Sequence, residues 1–270
     1  MNLSPSTLAP ELRQALTELA KNSPLVIALD FDGTMAPLVN RPEDARPLPE
    51  SAALLMELGT LPGVLTALIS GRDLASLRTV YPEPRPEVLI GSHGAERVVP
   101  PRLQTAAQQI ELNAEQSQLL RQVTEILSEV SANFVGTTLE YKPASTVLHV
   151  RQATDAIGEL ALAAAQQQLQ SLPGLRLLAG KAVLEASVLN ATKGQALQWL
   201  REVTQSKAML FVGDDVTDED GFRSLSQKDL GVKVGSGSSV ATQRIQSPAA
   251  LPETLRFLLQ TRRDLQILNE

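Results

Sequence analysis

The sequence predicts an α/β protein: a doubly wound parallel-sheet core with a second, inserted α+β domain. Three observations carry this reading. Short apolar runs at residues 25–29, 63–69, 88–90, 208–212 and 230–234 are interleaved with helical segments, and most end in small polar residues, as strands buried on both faces of a parallel sheet do. Between residues 105 and 186 the pattern changes to two amphipathic helices, a hairpin and one or two further strands. From residue 187 onward the strand and helix alternation resumes. The expected domains are therefore a core of residues 1–104 and 187–270 and an insert of residues 105–186.

Residues 9–21 place Leu12, Ala15, Leu16 and Leu19 at helical spacing, so a helix precedes the first strand. That strand, Leu25-Val26-Ile27-Ala28-Leu29, runs into Asp30-Phe31-Asp32-Gly33-Thr34. In an open α/β sheet, ligands bind beyond the carboxyl ends of the strands, so both aspartates are candidates for chemistry. In extended backbone, residues i and i+2 point the same way, which aims both carboxylates at one small space. Two like charges so placed need a cation, a shared proton or divided roles. Read alone, Asp-x-Asp-Gly fits an ordinary turn equally well.

Pro37, Pro42, Pro47 and Pro49 make the next stretch a loop, and a helix over residues 50–60 follows. The second strand ends in Ser70-Gly71-Arg72-Asp73 and the third in Gly91-Ser92-His93-Gly94-Ala95-Glu96. In the insert, residues 114–131 carry an apolar stripe of Leu119, Leu120, Val123, Ile126, Leu127 and Val130. Residues 137–142 and 146–151, separated by Pro143-Ala144-Ser145, read as a hairpin. A helix over 153–172 and one or two strands over 175–186, with Gly180-Lys181 as a turn, complete the insert. Lys193 then starts a helix, strand 208–212 leads into Gly213-Asp214-Asp215-Val216-Thr217-Asp218-Glu219-Asp220, strand 230–234 follows, and residues 252–268 form the last helix.

Composition narrows the classes of function. The 270 residues are 43% hydrophobic, enough for a sizeable core, and carry 24 Lys+Arg against 30 Asp+Glu, a net charge of −6 that argues against a nucleic-acid partner. With no cysteine, thiolate chemistry and disulfides are excluded, and two histidines do not make a multi-histidine zinc site. No apolar run approaches the ~18 residues of a membrane span, and Met1 to Pro10 lack the charged start and apolar block of a signal peptide. A cytoplasmic monomer with no nucleic-acid or membrane partner is the expectation.

Four strand-end clusters need one explanation: the Asp30/Asp32 pair, Ser70-Gly71-Arg72, Lys193 and the Asp214 cluster. A parallel sheet brings strand ends together at one edge. Carboxylates from two strands suit Mg²⁺, while a hydroxyl, a lysine and backbone N–H groups suit phosphate oxygens. The set describes phosphoryl transfer. Taken singly, Lys193 fits a solvated helix-start cation and Ser70-Gly71 a turn. His93 fits a histidine that satisfies backbone groups.

In Asp30-Phe31-Asp32-Gly33-Thr34, Ser70, Lys193 and Gly213-Asp214-x-x-x-Asp218, the chain resembles the haloacid dehalogenase-type phosphatases across nearly its whole length. A narrower resemblance, to trehalose-6-phosphate phosphatases, rests on Ser70-Gly71-Arg72, Gly91-Ser92-His93-Gly94, Glu140-Tyr141-Lys142-Pro143, His149-Val150-Arg151, Gly180-Lys181-Ala182-Val183-Leu184-Glu185 and Gly213 to Asp220. One departure is Ser187-Val188, where that family commonly has Arg-Pro. The resemblance implies Asp30 as the nucleophile and Asp32 as general acid and base. It implies Mg²⁺ held by Asp30, the Asp32 carbonyl and Asp214, with Asp218 orienting metal waters. Gly33, Thr34, Ser70, Gly71, Arg72 and Lys193 would bind phosphate, and the insert would be a cap that controls water. The substrate is then a small-molecule sugar phosphate. Glu140, Lys142, Lys181 and Glu185 of the cap would bind the sugar, with His93 a further substrate contact; read without the resemblance, the cap charges fit a solvated sheet face. Sucrose-phosphate and mannosyl-phosphoglycerate phosphatases would share the core, and a phosphate-accepting regulatory switch would share the aspartates but has no cap.

Overall fold

The computed structural model describes residues 8–106, 111–180 and 182–267. The chain divides into two units, Met1–Gln108 with Thr192–Glu270 and Gln109–Ala191. These boundaries fall a few residues beyond the expected 104/105 and 186/187.

In the first unit, β1 (Leu25–Leu29), β2 (Val64–Ile69), β3 (Val88–Gly91), β4 (Glu96–Val98), β9 (Ala208–Gly213), β10 (Leu230–Val234) and β11 (Gln243–Ile245) form one sheet in the order β11-β10-β9-β1-β2-β3-β4. All neighbours are parallel except β3 and β4. The alternation along β1 explains why its sequence is apolar throughout. Leu25, Ile27 and Leu29 enter one core with Leu12 and Leu16 of α1 (Pro10–Ala20), Leu55 of α2 (Pro49–Gly59), Leu77 of α3 (Leu74–Val80) and Leu258 of α8 (Leu251–Ile267). Val26 and Ala28 enter the opposite core with Leu197 and Leu200 of α6 (Lys193–Thr204) and Phe222 of α7 (Val216–Arg223). No face of β1 meets water, which is why the strand carries no polar residue.

Two strands correct the sequence reading. Ser92–Gly94 is a 3-10 turn and Glu96 begins β4, an antiparallel edge strand, where a polar loop was expected. Residues Gln243–Ile245 form β11 at the other edge, in a stretch to which the sequence reading assigned no element. Both are edge strands of three residues, too short to show a period.

The second unit pairs α4 (Ala114–Asn133) and α5 (Asp155–Leu169) with an antiparallel sheet of β5 (Thr138–Lys142), β6 (Ser145–His149), β8 (Val183–Ser187) and β7 (Arg176–Gly180), in the order β5-β6-β8-β7. α4 starts at a capping box: Asn113 Oδ1 accepts from Gln116 N and Gln116 Oε1 accepts from Asn113 N. Val123, Leu127, Ala161 and Ala165 of the helices bury against Leu148, Leu184 and Ala186 of the sheet. Alternation sends Glu140, Lys142, Ser145, His149 and Glu185 to the sheet's other face. Among the described residues, no helix is long and apolar enough to cross a membrane.

Candidate active site

The site grows from the carboxyl end of β1. The strand stops at Leu29, and Asp30 N still donates to Val212 O of β9 at 2.9 Å, which keeps Asp30 in the sheet's plane. Asp30 is 4% exposed, and its Oδ1 accepts from Lys193 Nζ at 2.7 Å. Lys193 is the first residue of α6, whose start is fixed by a capping box between Thr192 and Gln195. That cap aims a long cation back toward the sheet instead of into water. Nζ of Lys193, itself 3% exposed, also donates to Asp218 Oδ1 at 2.7 Å.

Asp218 comes from α7, and its Oδ2 accepts from Asp214 N at 3.0 Å and Asp215 N at 2.9 Å. Two glycines permit this convergence. A Cβ on Gly213 would lie 2.3 Å from Asp218 Cγ, and one on Gly33, whose φ is +82°, would lie 2.1 Å from Asp214 Oδ2. Any side chain at either position displaces a carboxylate, so glycine there is a steric requirement.

Among the described residues, Asp30, Asp214 and Asp218 are the group that could hold a metal ion, with one oxygen from each within 4.8 Å of the others. Asp214 Oδ1 is buried and has no hydrogen-bond partner. All-oxygen donors and an unsatisfied carboxylate oxygen fit a hard divalent cation. The charges fit it too. Burial drives the Asp30 carboxyl well above its ordinary value, against the pull of Lys193 and with the help of Asp218 and Asp214. Burial, then the neighbouring Asp218, carries Asp214 up to about 7. Burial by itself would lower Lys193, but the charges of Asp218 and Asp30 outweigh it and hold the ammonium above the ordinary lysine value.

A carboxyl whose pKa is raised on folding contributes stability that is complete below the unfolded value of 3.8 and is lost as pH rises through about 7. The metal-free protein is therefore expected to lose more of its thermal midpoint between about pH 4 and 7 than Asp214→Asn does. Melting both across that range checks it, and parallel curves would count against the assignment.

Asp32 meets a different cation. Arg72 grips it with both arms of the fork, Nε to Oδ2 at 2.6 Å and Nη2 to Oδ1 at 2.7 Å. Arg72 is itself braced by Ser76 Oγ at 3.1 Å and Pro42 O at 2.8 Å, and its guanidinium lies 5.6 Å from the centre of the Phe31 ring. The crowding expected of two aspartates is thus resolved by two different cations. Ser70 is 1% exposed, and its Oγ accepts from Arg72 N at 3.1 Å. The Gly33 and Thr34 N–H groups are engaged within the loop, by Ala36 O at 2.7 Å and Phe31 O at 3.3 Å, while the buried Thr34 Oγ1 has no partner.

His93 has left-handed backbone, φ +56°, as does Ser92 at +47°. Its N–H donates to Ser70 O at 2.9 Å and its ring lies where a Cβ on Gly71 would fall. His93 therefore packs on the Ser70-Gly71-Arg72 loop, and Gly71 is the space it occupies.

In the second unit, Glu185, 7% exposed, accepts from Lys142 Nζ at 2.9 Å and from Ser145 Oγ at 2.6 Å. Glu140 Oε2 is 2.8 Å from His149 Nε2. Burial would raise Glu140, but the bond to His149 and the charge of Lys142 hold it below the ordinary carboxylate value. Lys181 lies outside the described residues. Ser145 and His149 join this cluster although sequence reasoning did not choose them. The signal was the hairpin register, which sets Ser145 opposite Lys142 and His149 diagonal to Glu140. Ser187 ends β8, and its Oγ accepts from Leu189 N at 3.2 Å, closing the turn at the departure from the Arg-Pro pattern.

The sheet order, the inserted α+β unit and the aspartate loop at the end of a central strand define a core of the haloacid dehalogenase type. A solved structure agrees: the C-terminal domain of Candida albicans trehalose-6-phosphate phosphatase superposes with a TM-score of 0.80 at 23% identity, over 95% of this chain and 99% of that one. The sequence profile of the trehalose-phosphatase family matches residues 28–254, and the chain belongs to that family. It is 33% identical to an uncharacterised glycosyl hydrolase of Mycobacterium tuberculosis, over 89% of this chain and 18% of the relative. It is 29% identical to trehalose-6-phosphate phosphatase of Escherichia coli, over 85% of this chain and 83% of the relative. Of the mycobacterial relatives it matches, the chain spans between 18% and 65% of the length.

Proposed function

We propose that this protein is a phosphoric monoester hydrolase that converts trehalose 6-phosphate to trehalose and phosphate, in the cytoplasm and with Mg²⁺ as its ion. The observation that carries the reading is the buried Asp30 carboxylate at a central strand end, held 2.7 Å from a lysine ammonium beside two more carboxylates. Membership of the trehalose-phosphatase family supports the substrate.

In this reading an Asp30 oxygen attacks phosphorus and the bond from phosphorus to the sugar oxygen breaks, leaving an aspartyl-phosphate on the enzyme. Asp32 serves as acid to the leaving oxygen and then as base to the water that hydrolyses the intermediate, a role that requires one of its oxygens to leave the Arg72 fork and take up a proton. Arg72 pairs with Asp32 while Lys193 pairs with Asp30, the division that two adjacent aspartates require. Lys193, Ser70 and Thr34 Oγ1 hold the phosphoryl oxygens, on which negative charge spreads in a loose transition state. A divalent cation on Asp30, Asp214 and Asp218, when bound, neutralises part of that charge.

These groups meet only phosphate and the bridging oxygen, so the choice of sugar rests with other residues. We assign it to Glu140, Lys142, Lys181 and Glu185 of the second unit. A buried polar group left unpaired by a poorer substrate costs about 1–3 kcal/mol. Glu140→Ala, Lys142→Ala and Glu185→Ala are therefore each expected to lower kcat/KM for trehalose 6-phosphate by roughly ten- to a few hundred-fold. p-Nitrophenyl phosphate, which has no sugar, should be hydrolysed almost as before. Phosphate release from a panel including sucrose phosphate and mannosyl-phosphoglycerate, with and without Mg²⁺, tests the assignment; equal losses on all esters would reduce these residues to a structural role.

A further inference from the structure

One buried cation takes part in none of these steps. β10 reads Leu-Gly-Val-Lys-Val, and Lys233 lies inside it, 4% exposed, in a sheet whose other interior strand positions are overwhelmingly apolar. Its Nζ donates to Asp214 O at 2.7 Å, is 3.4 Å from Asp215 O, and lies 3.5 Å from Glu219 Oε1. Glu219, 8% exposed on α7, accepts from Val240 N at 2.9 Å through its other oxygen. Burying an ammonium is costly unless partners compensate it, and valine or isoleucine at this strand position would carry no such cost. What the lysine supplies instead is a strong donor to one main-chain carbonyl.

That carbonyl belongs to Asp214, whose Oδ1 is the buried oxygen with no partner. The residue is held at both ends of its backbone: its N–H by Asp218 Oδ2 at 3.0 Å and its carbonyl by Lys233. We propose that Lys233 is a positioning residue for the metal-binding carboxylate, fixing the Asp214 peptide so that Oδ1 is aimed before any ion arrives. Glu219 serves the same end by balancing the lysine's charge and tying it to the chain at Val240. The inference rests on the reading of Asp30, Asp214 and Asp218 as a divalent-metal site.

The test is a calorimetric titration of the full chain with Mn²⁺, for wild type, Lys233→Met, the double variant Lys233→Met/Glu219→Gln, and Asp214→Asn. The double variant avoids stranding a buried carboxylate, and so keeps the test open if the single variant folds poorly. Removing an outer partner of a metal ligand typically costs 10- to 100-fold in affinity. Both Lys233 variants are expected to show a Kd for Mn²⁺ raised by about that factor. The metal concentration for half-maximal turnover should rise in parallel, while kcat at saturating metal stays within a few-fold of wild type. A double variant that melts earlier yet binds Mn²⁺ as wild type does, while Asp214→Asn fails to bind, would overturn this inference and leave the metal site standing. Wild type that binds no Mn²⁺ would overturn both.

Discussion

Asp30→Asn is expected to lower kcat by about 10⁴-fold or more, some 5 kcal/mol of barrier, and to leave the protein folded. The loss follows from chemistry: an amide oxygen is a poor nucleophile, and no second carboxylate stands in the same relation to Lys193 and to the end of β1. The survival of the fold follows from geometry. Asparagine retains an oxygen that can accept from Lys193 Nζ, and Lys193 keeps its second partner at Asp218 Oδ1. Because burial raises the Asp30 carboxyl, a charge there weighs against the metal-free fold near neutral pH, and the neutral amide relieves it. The variant should thus melt no lower than wild type without metal at pH 7 while being inactive with it. Retention of substantial phosphatase activity in a sequence-verified preparation would remove the nucleophile assignment.

Stripping divalent ions is expected to have the next largest effect. With Asp30, Asp214 and Asp218 around one point and a single lysine among them, ionising all three carboxylates leaves an excess of negative charge toward an anionic substrate unless an ion is bound. At an effective dielectric of about 20, two unit charges 4 Å apart interact by roughly 4 kcal/mol, so an uncompensated carboxylate next to a phosphoryl group is worth about a thousandfold in rate. Turnover should stop on exhaustive chelation and return on adding Mg²⁺. Undiminished activity with chelator present would mean that Lys193 and Ser70 suffice and that the carboxylate cluster has another purpose.

The strands that position the site were legible because each is an unbroken apolar run. Leu25–Leu29 and Leu230–Val234 match the structure residue for residue. The edges were not legible. Glu96-Arg97-Val98 and Gln243-Arg244-Ile245 are three residues long and half-solvated, so neither length nor period separates them from loop.

Directions of side chains were harder still. The expectation that Asp30 and Asp32 face one space rested on extended backbone; β1 ends at Leu29 and the residues beyond it fold into a tight loop, so which cation each carboxylate meets could not be read from alternation. Arg72 was legible as a cation near the site; that Asp32 receives it depends on a contact between residues 40 positions apart. His149 could have been found once the hairpin turn was fixed at Pro143-Ala144, because register then follows. Lys233 had a signal that sequence reasoning passed over: a lone charge in the middle of an apolar strand.

The order of strands in the first unit also sets an order of events during synthesis. β5, β6, β7 and β8 come from one continuous stretch and pair with near neighbours, so their ladder can close as soon as that stretch has left the ribosome. β1 must wait, because Leu25–Leu29 pair on one side with Ala208–Val212, which are made only after the whole second unit. Until then the nascent chain holds β1, β2 and β3 with the long apolar edge of β1 open, the kind of surface that recruits other chains. A pause or truncation before residue 208 thus produces a finished second unit attached to an unfinished, aggregation-prone sheet.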